Sequence, residues 1–160
     1  MLKIIDLFVN GKMHQLAVDD RESLAETLRN RLGLTSVKEG CSEGECGACS
    51  ILLNGKMVTS CIIPVGAADG QKIMTIEGVS ATQKGKIIID AFADGGAVQC
   101  GFCIPGMVIA TYYLLSNNPD PTEDEIRLGL SGNICRCTGY DLIVESVRLA
   151  AKRGGEIWKK

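Results

Sequence analysis

The chain has 160 residues, 46% of them hydrophobic but only 4% aromatic, so a core must rest on Ile, Leu, Val, Ala and Met. Its 17 basic and 19 acidic residues leave a formal charge of −2, which supplies no basic field for a nucleic acid. No run approaches the roughly 18 apolar residues that span a bilayer, and the N-terminus lacks the apolar core of a signal peptide. A cytoplasmic protein is expected, with neither nucleic acid nor membrane as partner.

In chain order, residues 3–9 and 12–18 read as strands joined by Asn10-Gly11, a strong two-residue hairpin signal. Leu24, Ala25, Leu28 and Leu32 then recur at helical spacing, with Ser23 as N-cap and Gly33 as stop. Residues 50–53 and 56–60 flank a second hairpin dipeptide, Asn54-Gly55, and 72–76 reads as a closing strand. Two hairpins, a helix and a late strand predict a β-grasp-like α+β unit, here placed at 1–78.

Helical patterns fill 79–160. A short helix is expected over 87–93, ended by Gly95-Gly96. Residues 104–116 are apolar nearly all round, which predicts a central, buried helix, and Pro105 fits its first turn. Thr122 and Glu125 form a capping box ahead of a helix over 123–130. A last helix over 141–152 carries Ile143, Val147 and Ala150 on one face. The second unit therefore reads as a four-helix bundle, followed by a C-terminal tail around Trp158 that is expected to fray unless a partner holds it.

Eight cysteines in a cytoplasmic chain read as metal ligands, because that compartment keeps thiols reduced. Cys41, Cys46 and Cys49 follow the spacing C-x4-C-x2-C, with Cys61 further on, which is the plant-type ferredoxin pattern for a [2Fe–2S] cluster. Three converging thiolates need a tightly curled backbone, and Gly40, Gly44 and Gly47 permit positive φ and close approach of N–H groups to sulfur. Zinc is the competing reading, although its sites favour short paired knuckles or added histidines. The single histidine, His14, sits in a strand and reads as a surface or packing residue. The second quartet, Cys100-x2-Cys103 and Cys135-x-Cys137, precedes two helices, whose free N–H groups would lie beside an anionic cluster. Spacing alone leaves zinc and a cluster both open there.

Four segments carry a resemblance. They are Val37-Lys38-Glu39-Gly40-Cys41 through Cys49; Thr75-Ile76-Glu77-Gly78; Gly96 through Met107; and Leu130 through Tyr140. In this order they resemble the iron–sulfur subunit of the molybdenum hydroxylases, the xanthine dehydrogenase and aldehyde oxidoreductase family. The resemblance implies a ferredoxin-like domain and a helical domain with one [2Fe–2S] cluster each, in a hetero-oligomer with a large molybdopterin-binding subunit and an FAD-binding subunit. It implies that electrons arrive from molybdenum at the cluster on Cys100, Cys103, Cys135 and Cys137. They would leave by the one on Cys41, Cys46, Cys49 and Cys61, towards FAD or another acceptor. It also implies that Gln99 contacts the pterin, and it favours an N-heterocyclic substrate such as a purine. Ile104 departs from the threonine common there, which would cap the helix at Pro105. No catalytic residue is expected in the chain itself, and a free two-cluster ferredoxin or a zinc-stabilised module are the alternatives.

Overall fold

The structure is a computed structural model and describes residues 1–159. Its first half holds a five-stranded mixed sheet in the order β2-β1-β5-β3-β4. The strands are β1 (Leu2–Val9), β2 (Lys12–Asp19), β3 (Ser50–Leu53), β4 (Lys56–Thr59) and β5 (Lys72–Met74). Both predicted hairpins close as expected. Asn10 and Gly11 have φ of 50° and 80°, Asn54 and Gly55 of 49° and 79°. Double positive φ matches the twist of the flanking strands. The turn asparagines also clamp β5. The Asn10 side chain accepts from Thr75 N–H and donates to Thr75 Oγ1, both at 2.9 Å, and Asn54 Oδ1 accepts from Lys72 N–H at 2.9 Å.

Alternation along β1 sends Ile5, Leu7 and Val9 inward, where they meet Val18, Ile51 and Ile73 under α1 (Leu24–Glu26). Ser23 caps that helix by accepting from Glu26 N–H, and Gly33 stops it at a φ of +68°. The predicted single helix is not uniform, since Thr27–Arg31 widens into a π-helical turn. The predicted strand over 72–76 is also shorter than expected. It ends at Met74, and Ile76–Ser80 begins a short helix, α2. The pull of the helical core explains this, because Val79 is fully buried there.

The second half packs α3 (Gln83–Asp94), α4 (Ile104–Asn117), α5 (Glu123–Gly129) and α6 (Asp141–Gly154) around one core. Helix α3 begins earlier than its apolar pattern, because Thr82 accepts from Gly85 N–H as N-cap. The capping box of Thr122 and Glu125 forms as predicted. Helix α4 is buried on almost every side, since it lies between its sister helices and the outer face of the sheet, where Leu52 joins the helical core. A mixed sheet followed by a helical bundle makes the architecture α+β, as the sequence predicted.

The tail corrects the sequence reading. Gly155–Lys159 turns back as a 3-10 helix, and Trp158 is 2% exposed within the helical core. Its Nε1–H donates to the Ala150 carbonyl at 3.1 Å. A Trp buries more apolar area than any other side chain and needs one partner for its N–H; both are met inside this chain. Lys160, the last residue of the tail, lies outside the described residues.

Candidate metal centres

The loop from Gly40 to Cys49 has no regular structure, and its curl is set by Ser42, Gly44 and Gly47 at φ of 57°, 78° and 71°. That path aims the N–H groups of Glu43, Glu45 and Cys46 at Cys41 Sγ, at 3.4, 3.3 and 3.4 Å. Donors from Glu43, Cys46 and Glu45 stabilise a thiolate and hold Cys41 down to about 7 from an ordinary 9.0. Gly40 serves differently from the expectation. Its φ is not positive; instead, a Cβ there would lie 3.0 Å from Cys46 Sγ, so the position is kept bare by close approach. Cys61 arrives from the turn Ser60–Ile62, after β4. Burial first, and then the thiol of Cys49 beside it, push Cys61 up to about 11.

The second quartet is gathered from two loops. Cys100 and Cys103 precede α4, with Gly101 at a φ of +85° between them, and Cys135 and Cys137 precede α6. Helix α4 opens at Ile104 and not at Pro105, so the cap position falls on Cys103, which makes no side-chain capping bond, and not on residue 104. The hydroxyl of Thr138 lies 3.2 Å from Cys135 Sγ, and the N–H of Cys135 donates to Tyr140 Oη at 2.9 Å. Tyr140 holds its ring there from a left-handed backbone, φ 73°. Burial alone would raise Cys135, but the Thr138 hydroxyl and the N–H groups of Thr138 and Cys137 outweigh it and lower the thiol. Cys103, by contrast, is pushed up to about 12 by burial and by Cys135 beside it. The thiol of Cys100 raises Cys137.

Within each quartet neighbouring thiols act on one another, Cys46 on Cys41, Cys49 on Cys61, Cys100 on Cys137 and Cys135 on Cys103, and the second four line one cavity. Two pairs suit a binuclear core, in which each iron takes two thiolates. The residues therefore fit a [2Fe–2S] group better than zinc, and such a group supplies storage and transfer of single electrons when bound. His14 stays away from both quartets, on β2 opposite Leu7.

The quartets meet at a seam. Ile134 N–H donates to the Cys46 carbonyl at 2.9 Å, tying the residue before Cys135 to a cysteine of the first loop. Gly40, Cys46 and Phe102 share a cavity of about 220 Å³ with Cys100, Cys103, Cys135 and Cys137. Cys103 and Cys135 are buried, whereas Cys100 and Cys137 are exposed. Gln99 is exposed beside Cys100, as is Arg136 beside Cys137. Exposed Val98, Phe102 and Ile134 surround that edge with apolar surface. Sequence reasoning missed Thr138 and Tyr140 as sulfur-loop supports. The signal available was a hydroxyl and an aromatic within a few residues of Cys135.

Comparison with known proteins agrees with this chemistry. Residues 7–73 match the family described as a 2Fe-2S iron-sulfur cluster binding domain, and residues 75–148 the one described as a [2Fe-2S] binding domain. The nicotinate dehydrogenase small FeS subunit of Eubacterium barkeri is 48% identical, covering 93% of this chain and 95% of its own. The xanthine dehydrogenase iron-sulfur-binding subunit of Escherichia coli O157:H7 is 45% identical, covering 89% and 91%. A solved chain of quinoline 2-oxidoreductase from Pseudomonas putida 86 superposes with a TM-score of 0.88 at 41% identity, covering 96% of this chain and 98% of that one. The chain belongs to the small iron–sulfur, two-[2Fe–2S] electron-transfer subunits of the molybdenum hydroxylases, the xanthine dehydrogenase and aldehyde oxidoreductase family.

Proposed function

We propose that Cys100, Cys103, Cys135 and Cys137 hold the entry centre for electrons from a large molybdopterin-binding subunit. Cys41, Cys46, Cys49 and Cys61 hold the exit centre, serving an FAD-binding subunit. The observation that carries this reading is the split of the second quartet. Its Cys100 and Cys137 pair reaches the surface next to Gln99, inside an apolar rim, and its Cys103 and Cys135 pair turns inward towards the loop of Cys46. A thiolate pair on each side is what a relay between a partner and an internal acceptor needs. In this reading Gln99 reaches the pterin across the interface, and Gly40, Gly44 and Gly47 shape the exit loop.

The sequence reading divides the chain into two units, 1–78 and 79–160, one for each centre. Because α2 (Ile76–Ser80) runs across that division and Val79 sits in the helical core, the join is better placed just before Thr75. The assembly is a cytoplasmic hetero-oligomer, and no helix among the described residues is long and apolar enough to cross a membrane. Its substrate is an N-heterocycle, the class named in nicotinate dehydrogenase, xanthine dehydrogenase and quinoline 2-oxidoreductase.

The test is a Cys100→Ser variant purified with its partner subunits. It should lose one of two reducible centres and most turnover with the acceptor, while substrate still reduces the molybdenum site. Unchanged turnover would defeat the relay assignment. Oxidation of aldehydes but not of nicotinate or purines would defeat the substrate class, and an assembly without flavin would defeat the third subunit.

A further inference from the structure

The seam between the two centres holds a polar residue whose cost the fold has not removed. Asn133 is 3% exposed, two residues before Cys135 and on the same loop. Its Nδ2 donates to the Gly47 carbonyl at 3.0 Å and to Ser50 Oγ at 3.4 Å. Gly47 is the residue directly after Cys46. Asn133 Oδ1, in contrast, is buried with no hydrogen-bond partner. Such orphaned oxygens are rare and call for an explanation beyond packing, because an apolar side chain of similar size would avoid the penalty.

The surroundings leave no play at this point. A Cβ on Gly47 would come within 2.3 Å of the Gly132 carbonyl and 2.6 Å of Asn133 Nδ2. A Cβ on Gly106, in the first turn of α4 behind Cys103, would come within 2.4 Å of the Gly47 carbonyl and 3.0 Å of Asn133 Nδ2. The Gly47 carbonyl also accepts from Ser50 N–H at 3.1 Å and from Ser50 Oγ at 2.7 Å. Three backbone segments, each adjoining a cysteine of one quartet or the other, are thus brought to van der Waals contact around one amide. Beside it runs the bond from Ile134 N–H to the Cys46 carbonyl at 2.9 Å.

We propose that Asn133 is a positioning residue that locks the loop of Cys46 against the loop of Cys135 and thereby fixes the electronic coupling between the two iron–sulfur centres. Its amide bonds Gly47 and Ser50 rather than a cysteine sulfur, so it acts through Gly47 and the neighbouring Ile134–Cys46 bond. An apolar residue would fill the volume, but it would not fix the relative rotation of two loops that have no regular structure. A directional N–H on the carbonyl next to a ligand does. This inference rests on the relay reading above.

The experiment is Asn133→Ala and the isosteric Asn133→Asp, each in the complete assembly. Spin–spin splitting between the two reduced centres is measured by low-temperature electron paramagnetic resonance, and transfer between them by freeze-quench. Iron and sulfide should stay at the wild-type level and both centres should remain reducible. The splitting should shrink, and transfer should slow by about 10-fold, the low end of what losing an outer support costs a metal site in activity. Wild-type splitting and rate in both variants would overturn the proposal. So would loss of one centre's iron in both, because Asn133 would then be needed to build a centre rather than to space two. A wild-type assembly without two reducible centres would instead overturn the relay reading.

Discussion

The two thiol sites reach one chemistry by opposite routes. Cys41, Cys46 and Cys49 lie within one loop whose left-handed turns point three backbone N–H groups at Cys41 Sγ. Cys100, Cys103, Cys135 and Cys137 come from two loops far apart in the chain, brought together because α4 and α6 both pack against α3 and α5 in one core, and Cys135 is served by the Thr138 hydroxyl. A site that is local in sequence is tuned by its own backbone. A site assembled from distant segments depends on the core that brings them together, so the two should fail under different insults.

The largest difference should come from Trp158→Ala. Emptying a fully buried Trp site costs about 3–5 kcal/mol, and Trp158 lies in the helical core, remote from the core under the sheet. The helical half should melt first, and absorbance and iron of the second centre should disappear at a lower temperature than those of the first. Simultaneous loss of both would show that the two halves share one cooperative unit. Next comes Gly47→Ala. A left-handed φ of +71° strains any Cβ, by roughly 1–2 kcal/mol, and the clash at 2.3 Å with the Gly132 carbonyl adds overpacking of about 1–3 kcal/mol. This change strikes the seam where the local and the assembled site touch, so denaturant melts should show both halves weakened. A melt matching the wild type would mean that the seam yields freely.

These two residues also mark where the sequence was and was not legible. The hairpin turns at Asn10-Gly11 and Asn54-Gly55 and the capping box at Thr122 could be read because local backbone chemistry decides them. The first quartet was readable for the same reason. Trp158 was read as a fraying or partner-held tail, since nothing in Glu156-Ile157-Trp158 announces that the chain will turn back on α6. Gly40 was singled out for φ, whereas the structure gives another cause, the sulfur 3.0 Å from its missing Cβ. Asn133 could not be singled out at all. Between Gly132 and Ile134 it looks like any loop amide, and only the tertiary approach of Gly47 gives it work.

Reactivity of the thiols in the cluster-free chain should separate the sites further. Cys41 is held at about 7 and Cys103 at about 12. Near pH 8 the thiolate fraction therefore favours Cys41 by about four orders of magnitude. The higher intrinsic nucleophilicity of the more basic thiolate offsets roughly half of that on a logarithmic scale. Alkylation followed by peptide mass mapping should find Cys41 modified roughly fiftyfold faster than Cys103, and equal rates would contradict the local N–H cradle. The same shifts set opposite pH trends in stability. Cys41, lowered from 9.0, contributes fully above about 9, and its contribution is lost as pH falls through about 7. Cys103, raised from 9.0, contributes below about 9, and its contribution is lost as pH rises through about 12.

The smallest change is Thr138→Val, which also takes an acceptor from the Tyr140 N–H, 3.2 Å away. It keeps the shape of the side chain and removes the hydroxyl 3.2 Å from Cys135 Sγ. Adding an electron makes the centre more negative, so a hydrogen bond to sulfur stabilises the reduced state more than the oxidised one. Losing it should lower the potential of the second centre. A differential of about 1 kcal/mol, the typical net worth of one intramolecular hydrogen bond, corresponds to roughly 40 mV at 59 mV per tenfold for one electron. The first centre keeps its three backbone donors and should not move, which gives the titration an internal reference. A fall confined to one of the two potentials identifies the centre held by Cys135. An equal fall in both would mean that the seam transmits the change and that the two sites are tuned together.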